Sequence, residues 1–168
     1  DNAQLMQAYA DAYALTGDER YRAAVADIYS WLEREMTHAD GGFYSALDSE
    51  SEGEEGRYYV WSIAELEEVL GKDDATLFAA VYHCTAEGNF EEERSGERTG
   101  HNIPHLTASL AQIAEQRKLA ADELDAKLAA LRAKLLKARD DRAYPHRDDK
   151  ILTGWNGLMI AALARAGE

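Results

Sequence analysis

The sequence predicts a mostly α-helical fold carrying one small antiparallel β-hairpin. Three observations carry that prediction. Apolar residues recur at three- and four-residue spacing through most of the chain. Glycine, aspartate and serine sit where helices should stop and restart. Two short aromatic runs flank an acidic, glycine-rich segment.

The first helix places Leu5, Ala8, Tyr9 and Ala12 at helical spacing, and Gly17 supplies the left-handed residue that ends it. Asp18 caps the second helix, which carries Tyr21, Val25, Ile28, Leu32 and Met36 on one stripe until Gly41-Gly42 stops it. Residues 42–48 and 57–61 are short and aromatic, as strands are, and the acidic run from Ser49 to Gly56 lies between them. They are expected to pair as the hairpin. Ser62 and Glu65 form a capping box for a helix ending at Gly71, with Trp61 packing on Leu66 as a staple. A further helix is expected from Asp73 to about His83, then loop over 84–106 and a short helix over 107–117. The longest helix, 121–141, presents Leu124, Leu128, Leu131 and Leu135 on one face and lysines and arginines on the other, which reads as a solvated exterior. The last helix begins near Gly154. It is apolar nearly all round, so a buried position is expected.

The chain has 168 residues, 46% of them hydrophobic and 30% charged, with a net charge of −14. That length supports a real core and that composition excludes disorder. No run reaches the ~18–20 apolar residues of a membrane span, and the negative field repels nucleic acid and anionic membranes. The single cysteine, Cys84, allows no internal disulfide, which fits a reducing, cytoplasmic setting. Neither end carries a tail and the last helix has no cap, so the sequence reads as a piece cut at both ends. As such, it is expected to self-associate through residues 154–167 or to leave that helix poorly ordered.

Two segments echo each other. Asp1-Asn2-Ala3-Gln4-Leu5-Met6 and Trp155-Asn156-Gly157-Leu158-Met159 each place Asn at the start of an apolar helix. They read either as two independent caps or as equivalent inner helices in a ring of helical hairpins, with 18–37 and 121–141 as outer helices. In the second case the hairpin at 42–61 and the loop at 142–153 share one rim.

The residues from Gly41 to Gly56, GGFYSALDSESEGEEG, followed by Tyr58-Tyr59-Val60-Trp61, resemble a signature of the spermatogenesis-associated protein 20 (YyaL) family. Asp148-Asp149-Lys150-Ile151-Leu152-Thr153-Gly154-Trp155-Asn156-Gly157 resembles its second signature, and Gly88-Asn89-Phe90-Glu91 and Asn102-Ile103 also fit. The resemblance implies a thioredoxin-like domain followed by a six-hairpin, glycosidase-like α/α toroid. On that pattern, residues 1–168 form the middle of the toroid, a partial α/α toroid within one domain. The thioredoxin-like domain and its Cys-x-x-Cys segment are absent from the chain.

Glycoside hydrolysis needs two carboxyl groups flanking a bond, and sugar epimerisation needs an acid and a base on opposite faces of a carbon. Asp48, at the end of a short strand, with Asp148 or Asp149 from the loop at 142–153, is the candidate catalytic pair. His101, His105 and His146 are candidate partners. Tyr44, Tyr58, Trp61, Trp155 and Asn156 are candidate substrate contacts, with His105 and His146, because rings with a polar tip suit half-wet positions. The plainer reading puts these rings in the core and pairs Asp149 with Lys150 or Arg147. The acidic run starts like a calcium loop at Asp48, Glu50, Glu52 and Gly53 but has Tyr59 at its twelfth position, so a solvated turn and no metal is the expectation. No phosphate-binding glycine loop, nucleophile elbow or zinc-ligand spacing is present, and no cofactor is expected. The functional expectation is a carbohydrate-processing domain acting on a neutral saccharide. The alternative is a non-catalytic scaffold accompanying a thioredoxin-like domain. The isolated piece is expected to be inactive.

Overall fold

The computed structural model describes residues 1–92 and 96–168. In chain order the elements are α1 (Asn2–Thr16), α2 (Glu19–Trp31), a π-helical turn (Leu32–Met36), β1 (Ala46–Leu47), β2 (Glu50–Ser51), β3 (Glu54–Glu55), β4 (Trp61–Ser62), α3 (Ile63–Leu70), α4 (Lys72–Val81), β5 (His101–Asn102), α5 (Leu110–Arg117), α6 (Ala121–Asp140), β6 (Arg147–Asp148) and α7 (Thr153–Ala166). The protein is mostly α, with small antiparallel strand pairs. No described helix is long and apolar enough to cross a membrane. The chain divides into two compact units, one of residues 1–48 and 146–168, the other of residues 49–145.

In the first unit, α1 ends at Gly17, whose φ of 67° places it in the left-handed region, and the Asp18 side chain accepts from Arg20 N–H to start α2. The two helices run antiparallel: Tyr9 stacks on Tyr21, and the Tyr13 hydroxyl donates to Glu19. The π turn closes with the Thr37 hydroxyl donating to the Leu32 carbonyl five residues back. α7 lies alongside α1 in the same direction. Asp11, late in α1, accepts from Arg165, late in α7. Ala3, Met6, Leu32, Met36, Met159 and Ala162 form the core.

The expected burial of α7 is realised on one face only. Met159 and Ala162 are buried, whereas Trp155, Leu158 and Ile160 are more than half exposed. The two Asn-led starts are not side-chain caps either. Asp1 and Leu152 occupy the N-cap positions, and Asn156 lies inside α7, bonded elsewhere.

In the second unit, Ser62 and Glu65 make the expected capping box, and Trp61 and Leu66 are both buried. Leu124, Leu128, Leu131 and Leu135 of α6 pack against Leu70, Phe78, Val81 and Ile113, as their spacing predicts. α5 starts later than expected, at a second capping box formed by Ser109 and Gln112.

The small antiparallel hairpin is present, but within the acidic segment itself. Glu50 pairs with Glu55 and Ser51 with Glu54, around Glu52 (φ 55°) and Gly53 (φ 83°). Two adjacent residues at positive φ make the tight turn whose twist suits a hairpin. The aromatic runs expected to pair with each other pair with distant segments instead. Ala46-Leu47 pairs with Arg147-Asp148, and Trp61-Ser62 pairs with His101-Asn102. The early turn at Glu52-Gly53 leaves the outer runs to find other edges.

Candidate functional site

The first unit brings residues 46–48 together with residues 146–148. Ala46 opposes Asp148 and Leu47 opposes Arg147. Asp48 N–H continues the ladder to the His146 carbonyl at 2.8 Å. Strand side chains alternate faces, so Leu47 and Arg147 share one face and Ala46, Asp48, His146 and Asp148 share the other. The first face turns inward. Leu47 packs on the core, and Arg147 donates to the Glu35 carbonyl at 3.2 Å while lying 4.1 Å from the Tyr44 ring centre. The second face turns to solvent, where Ala46, Asp48 and His146 are exposed and Asp148 is half-buried. Asp48 and Asp148 are therefore diagonal neighbours, at about 7–8 Å between Cα atoms by strand geometry.

Asp148 is held by Lys150. Its carboxylate lies 2.9 Å from Lys150 Nζ and accepts from Lys150 N–H at 3.3 Å. The Lys150 hydrogen bond is the main cause that holds Asp148 below the usual carboxylate range, against the opposing effect of its partial burial. Asp149 is exposed just beyond the ribbon.

The other candidates divide by what they touch. Trp155 is 56% exposed at the start of α7. Tyr44 is occupied, with the Arg147 guanidinium on its ring and His38 at its edge. Asn156 is also occupied: Oδ1 accepts from Phe43 N–H, and Nδ2 donates to the Phe43 and Leu152 carbonyls. In the second unit Tyr58 and Trp61 are buried, Tyr58 against Tyr59, Tyr144 and Arg139, and Trp61 beneath Arg142 at 3.9 Å. His105 is exposed, with Nδ1 3.0 Å from the Ile103 carbonyl. Nδ1 of His101 lies 2.9 Å from the Thr99 hydroxyl, and Nε2 lies 3.4 Å from Arg57. Among the described residues, no group of three or more His, Cys, Asp or Glu side chains gathers as a metal site. Burial raises the Cys84 thiol to about 11, so it is a small apolar core residue.

Arg142 carried no signal in the sequence, and Gly88 and Asn102 stood out only as parts of the two shorter motifs. Arg142 donates to the carbonyls of Arg57, Tyr58 and Val60 and to Glu65, and stacks on Trp61. Asn102 is fully buried; it accepts from Thr85 N–H and donates to the Trp61 and Thr85 carbonyls. Gly88 sits at φ 81°, and a Cβ there would lie 2.5 Å from the His101 carbonyl oxygen. Gly88 and Asn102, one from each of the two shorter motifs, are thus backbone locks.

The fold and the ribbon define a helical protein with carboxylates presented on a short antiparallel strand pair. The chain aligns over 99% of its length with spermatogenesis-associated protein 20 of Homo sapiens at 35% identity, and with that of Mus musculus at 33%. An uncharacterized protein of Caenorhabditis elegans is 28% identical over the same share. No family model matches the chain. The resemblance carried by the two long motifs holds: the chain is similar, over nearly its whole length, to a segment of spermatogenesis-associated protein 20. It spans about a quarter of these relatives' length, 23% of the human protein and 25% of the nematode one.

Proposed function

We propose that the chain is part of a single carbohydrate-processing α/α toroid, and that its site is the outward face of the β1–β6 ribbon. Asp48 and Asp148 are the catalytic carboxyl pair, His146 and Asp149 flank them, and a neutral saccharide is the substrate. The observation that carries this reading is the strand register. It puts Asp48, His146 and Asp148, drawn from two segments about a hundred residues apart, on one solvent-facing surface. The two aspartates stand at diagonal rather than directly opposed positions, which is compatible with a water between their carboxyl groups, as an inverting glycosidase requires. Asp148, kept ionised by Lys150, takes the base role, and Asp48 takes the acid role. Trp155 offers an exposed ring to a sugar face. The antiparallel return of α2 and the parallel course of α1 and α7 support inner and outer helix alternation. A buried, unreactive Cys84 suits the cytoplasm.

The scaffold reading draws its support from Tyr44, Asn156, Tyr58 and Trp61, whose polar or aromatic groups are engaged in packing. A glycan-binding and turnover screen on the full-length parent protein separates the two. The enzyme reading expects conversion of a saccharide that Asp48→Asn abolishes while binding persists. Absence of both binding and conversion leaves the scaffold.

A further inference from the structure

We propose that His83 and His105 together form a site for a divalent transition-metal ion, with Cu²⁺, Ni²⁺ or Zn²⁺ as the fitting class. The two residues lie in the second unit, at the ends of the loop running from α4 toward α5. Their rings are in contact, with centres 5.2 Å apart and planes at 64°, and both side chains are exposed. Imidazole nitrogen is a preferred donor for these ions, and two imidazoles leave coordination positions for water.

The backbone around the pair is tied at several points. His105 N–H donates to the Tyr82 carbonyl at 3.0 Å. Asn89 bridges the two segments: its Nδ2 donates to the carbonyls of His83 and Ile103, and its Oδ1 accepts from Ile103 N–H at 2.7 Å. His83 itself stands at φ 53°, a left-handed conformation that few non-glycine residues adopt. Such outliers persist where the surroundings over-determine them, and they concentrate at functional sites.

The ring of His105 is oriented as a ligand ring should be. Nδ1 lies 3.0 Å from the Ile103 carbonyl, which can only accept, so Nδ1 carries the proton and Nε2 presents its lone pair. A ligating histidine held by its other nitrogen on a backbone carbonyl is the usual support around a bound metal. Chelation requires the exposed His83 ring to present one of its nitrogens beside Nε2 of His105, and the contact between the two rings puts that within reach. His101, four residues before His105 in sequence, is not the partner. Its ring is engaged with Thr99 and Arg57. The net charge of −14 favours any cation near the surface.

The test uses the tag-free chain titrated with Cu²⁺ at neutral pH, followed by electron paramagnetic resonance and calorimetry. One equivalent should bind with hyperfine structure from two imidazole nitrogens, and Ni²⁺ should raise the melting temperature by mass action. His105→Ala should remove both effects. His83→Asn, which tolerates the left-handed backbone, should remove them with the fold retained by circular dichroism. His38→Ala and His146→Ala should leave them unchanged. Two-nitrogen binding that survives His105→Ala, or no binding by the wild-type chain at micromolar ion, overturns the proposal.

Discussion

Asn156 and Phe43, 113 residues apart in sequence, are joined as two peptide-like groups. Phe43 N–H donates to Asn156 Oδ1 at 2.7 Å, and Asn156 Nδ2 donates back to the Phe43 carbonyl at 2.9 Å. The side-chain amide therefore takes the place of a neighbouring strand. It sets residues 42–44 against the start of α7, from which the chain runs directly into the Asp48–Asp148 ribbon. Asn156→Ala leaves a partly buried N–H and carbonyl without partners. The expected loss is about 2–4 kcal/mol of unfolding free energy, read from urea denaturation. A loss below about 0.5 kcal/mol would show that water replaces the amide.

Arg142 and Glu65 make the second unit sensitive to acid. Partial burial opposes ionisation of Glu65, but the Ser62 hydrogen bonds and the nearby Arg142 outweigh it, so its carboxyl titrates below its ordinary value of 4.5. A carboxyl depressed by folding stabilises the protein above its unfolded value, and that contribution is lost as pH falls through the folded one. Stability should therefore decline on acidification below about pH 4.5, and Glu65→Gln should flatten the decline. Arg142→Lys should cost roughly 2–4 kcal/mol at neutral pH, because an ammonium cannot reach three carbonyls and a carboxylate while covering Trp61. Melting temperatures of both variants between pH 3 and 7 check the pair of statements.

Gly88 and Gly53 share a positive φ, at 81° and 83°, yet differ in surroundings. A Cβ at Gly53 meets nothing within 4 Å, whereas one at Gly88 meets the His101 backbone at 2.5 Å and 2.8 Å. Gly53→Ala should cost about 1–2 kcal/mol, the strain of the left-handed backbone alone. Gly88→Ala should cost roughly 3 kcal/mol or more, since the backbone of β5 has to shift as well. Equal effects in chemical denaturation would contradict the close approach at Gly88.

Trp155, Leu158 and Ile160 on α7 are 56%, 53% and 61% exposed. Exposed apolar groups gathered on one element mark contact surfaces. The 168-residue chain should therefore associate at micromolar concentration in sedimentation velocity, and Leu158→Glu should shift it toward monomer. A monomeric wild-type chain across that range would mean that this surface tolerates water.

Helix positions and their core stripes were legible in the sequence because they depend on neighbours within about four residues. Ser62 with Glu65 caps α3, Gly17 ends α1, and Leu124, Leu128, Leu131 and Leu135 are buried as spacing demands. The likeness to spermatogenesis-associated protein 20 was legible too, through two long motifs. Strand partners were not. Two-residue strands hold too little pattern to specify a register, so the pairing of Ala46 with Asp148 and of Trp61 with Asn102 was settled by which backbone edges the packed helices bring close. The same reason separates the candidate residues. Aspartates 48, 148 and 149 read alike in sequence, and so do Tyr44 and Trp155. Only tertiary packing places Asp48 and Asp148 on one wet face, lays Arg147 on Tyr44, and leaves Trp155 exposed. Burial and hydrogen-bond partners belong to the space around a side chain, and most of that space is filled by residues distant in sequence.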